Sequence, residues 1–145
     1  MKAVVQRVKS ATLTVDGKLI SSIENGLVVF LGVKRGDTEE NCLKISTKIA
    51  NLRIFEDAIG KMNLSVKDVK GEILLVSQFT LYGDTSRGNR PNFSMAEEPV
   101  RAKFLYEVCI KNVKSLGIPV KTGVFGADMK ILQLNDGPVS IEIEI

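Results

Sequence analysis

The chain has 145 residues, of which 44% are hydrophobic and 26% charged, and its net charge is +3. This length suits one domain over residues 1–145, and the charge is too small to argue for a nucleic-acid partner by itself. The chain has no histidine, which excludes a Ser-His-Asp triad, an imidazole base and histidine metal ligands. No apolar run approaches the ~20 residues of a membrane span, and no signal peptide is recognisable, so the expected location is the cytoplasm.

The first part of the chain is predicted to form strands. Residues 2–8 and 11–15 alternate between polar and apolar, and Asp16-Gly17 is a favoured turn before a further segment at 18–23. The continuous apolar run 26–33 is typical of a strand buried on both faces.

Two helices are predicted. The first is expected to be capped by Asp37 and to run to about Leu52. The second is expected from about Glu97 to Leu116, with Ser94 and Glu97 in capping-box spacing. The two cysteines fall within these helices, which favours core positions over a disulfide or a metal site.

The remaining strands are predicted at 72–81, 120–124, 129–134 and 139–145, and the polar segment 83–99 is predicted to be a long loop. Two helices cannot cover both faces of a parallel sheet of about seven or eight strands, so we expect a mixed or mostly antiparallel α+β domain.

The end of the strand 72–81 carries polar side chains. Strand alternation would place Ser77 and Phe79 on one face, and Gln78 and Thr80 on the other. These groups could bind a ligand, and main-chain N–H groups there could hold an oxyanion. Local sequence alone favours the simpler interpretation that serine and threonine end a buried strand. Thr80 as a nucleophile lacks a histidine to take its proton.

The segment Asp136-Gly137-Pro138 allows two interpretations. The simpler one, which the local sequence favours, is a hairpin turn that joins the last two strands. The other is a rigid backbone probe that faces a ligand pocket and excludes ligands sterically, since an X–Pro bond in a tight turn can be cis.

Three further groups could contribute to a site. Residues 123–129 form either a glycine-rich hairpin or a surface for a nucleobase, to which Phe125 would offer a flat ring and Met129 a polarisable thioether. Arg7 falls on the apolar face of its strand and therefore needs partners. Arg87, Asn89 and Arg90 could contact phosphates, although a solvated loop is the more common explanation. The carboxylates at Glu97 and Glu98 are interpreted as structural.

Four segments together resemble the D-aminoacyl-tRNA deacylase family. They are MKAVVQRV at the start, SQFTL at 77–81, GVFGADM at 123–129 and NDGPVS at 135–140. Their order and spacing fit over essentially the whole chain. Ser140 stands where the family pattern usually has threonine, and it keeps the hydroxyl group.

The resemblance implies an α/β (α+β) fold: one domain of mixed or antiparallel, barrel-like sheet with two main helices, active as a homodimer without a cofactor or metal. It implies that Gly137 and Pro138, joined by a cis bond, enter the partner's pocket and that Arg7 holds them in place. The residues implied to line the ester are Ser77, Gln78, Phe79 and Thr80, and those implied to bind the terminal adenosine of tRNA are Phe125, Gly126, Ala127 and Met129.

The implied reaction is hydrolysis of D-aminoacyl-tRNA, with glycyl-tRNA also accepted and L-aminoacyl-tRNA excluded by the Gly-Pro backbone. The attacking water would be activated with help from the ribose 2′-hydroxyl, and a Thr80 nucleophile ranks second. The alternatives are a general ester or peptidyl-tRNA hydrolase that uses Ser77 or Thr80 covalently, and a non-catalytic RNA-binding module.

Overall fold

The first strand organises the sheet. In a computed structural model that describes residues 1–145, one edge of this strand pairs antiparallel with the second and third strands, and the other edge pairs antiparallel with the last strand. The third strand continues the sheet by parallel pairing to the sixth and through it to the seventh. The strands are β1 (Lys2–Val15), β2 (Lys18–Ile23), β3 (Gly26–Gly32), β4 (Phe55–Glu56), β5 (Met62–Leu64), β6 (Glu72–Ser77), β7 (Val120–Thr122) and β8 (Lys130–Glu144).

The domain is mixed α/β, with a nearly closed, barrel-like sheet and two helices, as predicted. The helices are α1 (Glu39–Ala50) and α2 (Pro99–Ser115), and they pack against each other. β4 and β5 form a separate two-stranded hairpin. None of the helices is long and apolar enough to cross a membrane.

Two hydrophobic clusters lie on opposite faces of the sheet. A cluster of 23 buried residues includes side chains of both helices together with Val29 and Leu75, whereas a cluster of seven includes Val28 and Leu74. Because neighbouring residues of β3 and β6 enter different clusters, these strands are buried on both faces, as their unbroken apolar runs predicted. Cys42 and Cys109 are buried free thiols in the larger cluster.

The predicted turn at Gly137-Pro138 is wrong. Residues 130–144 form one strand that pairs with β1 along its length, and β1 itself unites the two segments predicted at 2–8 and 11–15. Val8 pairs with Asn135 and Gln6 pairs with Ser140, so residues 136–139 bulge out opposite Arg7. The pairing with β1 overrides the local turn tendency of glycine and proline.

Both helices begin at caps other than the predicted ones. Thr38 caps α1, and its amide donates to Asn41 Oδ1 at 2.9 Å. Asp37 instead accepts from the Lys34 amide at 2.7 Å. Glu98 caps α2, because its carboxylate accepts from two amides of the first turn, and Ser94 lies outside the helix.

Candidate active site

The predicted strand 72–81 ends early. β6 stops at Ser77, and Phe79–Tyr82 form a short 3-10 helix. The expected alternation therefore fails beyond Ser77, and the side chains of Gln78 and Thr80 meet through a hydrogen bond from Gln78 Nε2 to Thr80 Oγ1. Gly32 permits this turn, because a Cβ atom there would lie 3.0 Å from the Gln78 carbonyl oxygen.

Two adjacent main-chain amides have no acceptor at this turn. Gln78 N donates to the Leu31 carbonyl oxygen at 2.8 Å, and Leu81 N donates to the Gln78 carbonyl oxygen at 3.3 Å. The amides of Phe79 and Thr80, which lie between them at the start of the 3-10 helix, have no acceptor within that helix. Free N–H groups side by side are the donors that an oxyanion requires.

A cavity of about 310 Å³ opens at this turn. One wall is the end of β6 with the start of the 3-10 helix, a second is the segment that follows β7, and a third is α2. The residues predicted for the site that line this cavity are Ser77, Gln78, Phe79, Phe125, Gly126, Ala127 and Met129. Thr80 follows directly but is not itself a lining residue.

Tyr106 is a cavity residue that sequence reasoning missed. Its ring packs against that of Phe125, with centroids 5.9 Å apart, and its hydroxyl donates to the Leu75 carbonyl oxygen at 2.7 Å. Burial raises the pKa of this phenol, so it remains a neutral donor. In the sequence, Tyr106 is indistinguishable from the other apolar positions of α2. It lies at the cavity because α2 packs against residues 123–129.

Met129 reaches the cavity past a glycine. A Cβ atom at Gly123 would overlap the Met129 sulfur and lie 3.0 Å from Leu13 Cδ1. The two ends of the segment 123–129 therefore pack closely because residue 123 has no side chain.

Two carboxylates also line the cavity, and each has a cationic partner. Glu97 lies 3.4 Å from Arg101 Nε, and Asp128 lies 2.8 Å from Lys130 Nζ. The sequence interpretation treated Glu97 as structural, and its contacts to Arg101 and to the Glu98 amide agree with that role. No group of three or more carboxylate or thiol side chains comes together that could hold a metal ion.

The second set of predicted residues lies outside this cavity, on the β1–β8 pair. Gly137 and Pro138 are exposed at the bulge of β8, their peptide bond is cis, and Gly137 has a φ of +128°. Arg7 is only 5% exposed, on the apolar face of β1 with Ala3 and Val5, as alternation predicted. Its guanidinium contacts Asp136, the first residue of the bulge.

Comparison with known proteins identifies the family. The family model for D-Tyr-tRNA(Tyr) deacylase matches residues 4–144. The chain belongs to this family. It is 56% identical over 144 residues to a protein of Aquifex aeolicus named D-aminoacyl-tRNA deacylase, covering 99% of this chain and 97% of that protein. A protein of the same name from Geotalea uraniireducens is 53% identical, with coverages of 99% and 93%.

Solved structures agree on the fold of this deacylase-family chain. A structure titled c-Myc DNA Unwinding Element Binding Protein superposes with a TM-score of 0.95 at 44% identity, covering 100% of this chain and 99% of that one. A probable eukaryotic D-amino acid tRNA deacylase superposes with a TM-score of 0.82 and covers 98% of both chains. At 18% identity, the second match supports the fold alone.

In this family member, therefore, the predicted residues fall into two groups within one subunit. The cavity group contains free amides and an aromatic wall, and the bulge group presents an exposed backbone segment held by a buried arginine. The two groups do not form one pocket in a single chain.

Proposed function

We propose that the chain hydrolyses the ester of D-aminoacyl-tRNA and releases the D-amino acid and free tRNA. Membership of the deacylase family and the names of relatives at 56% and 53% identity support this reaction. The observation that carries the mechanism is the pair of unpartnered amides at Phe79 and Thr80 beside the cavity.

The proposed chemistry needs no side-chain base. An aminoacyl ester is already reactive, so correct positioning and stabilisation of the oxyanion supply much of the rate. A water oxygen attacks the ester carbonyl carbon, the oxyanion accepts from the amides of Phe79 and Thr80, and the ribose oxygen leaves with a proton. The ribose 2′-hydroxyl assists the proton transfer. A chain without histidine is suited to this route.

The adenosine of the tRNA 3′ end is proposed to occupy the wall opposite the amides. Phe125, supported by Tyr106, offers an aromatic face, and Gly126 and Ala127 allow close approach to the backbone. Met129 adds a polarisable side chain at the same wall. Adenosine in this position would direct its ester-bearing ribose towards the end of β6.

The active unit is proposed to be a homodimer in which Gly137 and Pro138 enter the partner's cavity. Both residues are exposed and contribute nothing to the cavity of their own chain. The same strand exposes 78% of Leu132 and 61% of Leu134, and its outer edge pairs with no other strand. Exposed leucines and a free edge are unfavourable in a monomer, and a twofold contact would cover them.

This arrangement accounts for the proposed stereochemistry. Backbone atoms of Gly137 and Pro138 would occupy the space that an L side chain requires, while a D side chain would project away from them. Glycine has no side chain and would be admitted. Specificity would therefore come from exclusion of the wrong substrate rather than from contacts with the right one.

A Thr80 nucleophile remains the second mechanism. Thr80 Oγ1 accepts a hydrogen bond from Gln78 Nε2, and this hydroxyl has no hydrogen bond to a side chain that could take its proton. A threonine hydroxyl is a weak nucleophile without a base, so the main-chain mechanism is preferred.

The test is hydrolysis of matched D-tyrosyl-, L-tyrosyl- and glycyl-tRNA by the purified protein with a chelator present. We expect fast loss of the D-tyrosyl and glycyl esters and a spared L-tyrosyl ester. Equal cleavage of all three would contradict the backbone filter and favour a general esterase. Binding of tRNA without cleavage of any ester would favour the RNA-binding module.

A further inference from the structure

The polar segment after the 3-10 helix is a loop, as predicted, and one antiparallel β-bridge closes it at its base. Asp84 and Asn92 form a two-way backbone pair, with N···O distances of 2.8 and 2.9 Å. Asp84 Oδ1 accepts from the Ser86 amide at 2.9 Å, and Gly88 at the tip has a φ of +148°. Residues 84–92, here named the arginine loop, therefore have a defined shape.

The base of the arginine loop borders the cavity. Phe93, directly after the loop, packs edge-on against Phe79, with centroids 5.1 Å apart, and Phe79 lines the cavity. Gly83, directly before the loop, lies under the same ring, because a Cβ atom there would be 3.0 Å from Phe93 Cε1. A polynucleotide that leaves the cavity past Phe79 would meet this loop.

Arg87 and Arg90 differ from every other arginine of the chain. Both are exposed, with no hydrogen bond and no carboxylate within 4.0 Å. The other four arginines are each bonded to a carbonyl or carboxylate oxygen: Arg7, Arg35, Arg53 and Arg101. The carboxylate of Asp84, the one acid of the loop, accepts from the Ser86 amide. The loop thus presents two free guanidinium groups.

We propose that Arg87 and Arg90 bind two backbone phosphates of the single-stranded 3′ end of tRNA, next to the adenosine in the cavity. The proposal rests on the proposed function. Guanidinium forks match phosphate oxygens in geometry and charge. Phosphate contacts carry no base information, so one loop serves tRNAs of different sequence. Arg87 follows Asp84 at the loop base by three residues, so at about 3.3 Å per residue it lies within about 10 Å of that base.

The experiment compares R87Q/R90Q with the matched charge control K48Q/K111Q, whose lysines are exposed on the two helices. Two substrates are used: D-tyrosyl-tRNA, and D-tyrosyl-adenosine, which has the same ester but no phosphates. We expect R87Q/R90Q to lower kcat/KM about tenfold for the tRNA ester at low salt, chiefly through KM. Hydrolysis of the adenosine ester should not change, and the control should behave as wild type.

Salt dependence supplies the decisive readout. Two phosphate contacts to a single strand should change binding about sevenfold between 50 and 200 mM salt, and R87Q/R90Q should lose that part of the dependence. Equal losses on both substrates would show that the loop only supports Phe79 and would overturn the proposal, as would an unchanged salt slope.

A failure of the proposed function is distinguishable from a failure of this proposal. If wild type cleaves neither ester, the deacylase function fails, and binding of uncharged tRNA then tests the loop. Salt-dependent binding that R87Q/R90Q weakens about tenfold would support the loop contact. Equal binding by wild type and R87Q/R90Q would overturn it.

Discussion

Arg7 on one strand fixes the backbone of Asp136 on the neighbouring strand. Arg7 Nε donates to the Asp136 carbonyl oxygen at 3.1 Å and lies 3.3 Å from the Asp136 carboxylate. Arg7 Nη1 donates to the Ile54 carbonyl oxygen at 2.6 Å. One buried guanidinium thus ties the bulge of β8 to the segment that precedes β4, and the exposed Gly137 follows the tied residue.

Replacing this guanidinium by an ammonium should loosen the bulge. Arg7→Lys keeps the charge but cannot reach Ile54 and Asp136 with a fork, which leaves a buried carbonyl unpaired at a cost of about 1–3 kcal/mol. We expect a lower free energy of unfolding in urea. Cleavage of L-tyrosyl-tRNA should rise relative to that of the D ester. A variant with lower stability but unchanged D/L selectivity would show that Arg7 supports only the fold.

A side chain at Gly137 should damage activity more than stability. The φ of +128° disfavours any L residue, and a Cβ atom would lie 3.3 Å from Arg7 Nη2. Gly137→Ala is therefore expected to displace the bulge and to reduce cleavage of D-tyrosyl-tRNA at least tenfold. Gly117→Ala is the matched control, since Gly117 has a φ of +82° and open space around it. Both variants should lose about 1–2 kcal/mol of stability through the positive φ, and Gly137→Ala should lose more because its Cβ atom would also lie 3.0 Å from the Val139 amide nitrogen. Only Gly137→Ala should lose activity.

The role of Thr80 is decided by removing its hydroxyl. If the amides of Phe79 and Thr80 stabilise the oxyanion, Thr80→Ala should retain partial activity, because the main chain is unchanged. Mass spectrometry of wild type during turnover should then show no acyl-enzyme. A collapse of the rate together with a covalent adduct on wild-type Thr80 would establish the nucleophilic mechanism instead.

The shape of the arginine loop should depend on pH through Asp84. The Ser86 amide lowers the pKa of this carboxyl, so the charged form stabilises the folded state. That stabilisation is present at neutral pH and is lost as pH falls through the folded-state pKa. Wild type should therefore exceed Asp84→Ala in urea stability at pH 7, and the difference should shrink towards pH 3. A difference that is constant with pH would exclude this role of the charge.

Strand alternation and unbroken apolar runs predicted which faces of the strands are buried. Alternation placed Arg7 on the apolar face of β1, and the apolar runs predicted the two-faced burial of β3 and β6. The sequence showed that Gln78 and Thr80 follow Ser77 at the end of a buried strand, but it did not predict the 3-10 turn that they enter. Strand alternation cannot anticipate a 3-10 turn that depends on Gly32 in another strand.

Other features depended on pairing between distant segments. Glycine and proline at 137 and 138 suit either a turn or a bulge, and the continuous ladder between β1 and β8 decides between them. Tyr106 reaches the cavity only because α2 packs beside Phe125. A single sequence contains the residues of such contacts but not the distances between them.

Complementation between two inactive subunits tests the central claim most directly. One subunit carries Gly137→Ala, which damages the bulge and leaves the cavity intact. The other carries Ala127→Phe, which places a large ring in the cavity where adenosine is proposed to bind and leaves the bulge intact. If the bulge serves the partner's cavity, each mixed dimer contains one site with both parts intact. Random exchange in a twofold dimer should then restore about a quarter of wild-type cleavage of D-tyrosyl-tRNA, with the L ester spared. A mixture that is no more active than its separate components would contradict a site shared between subunits.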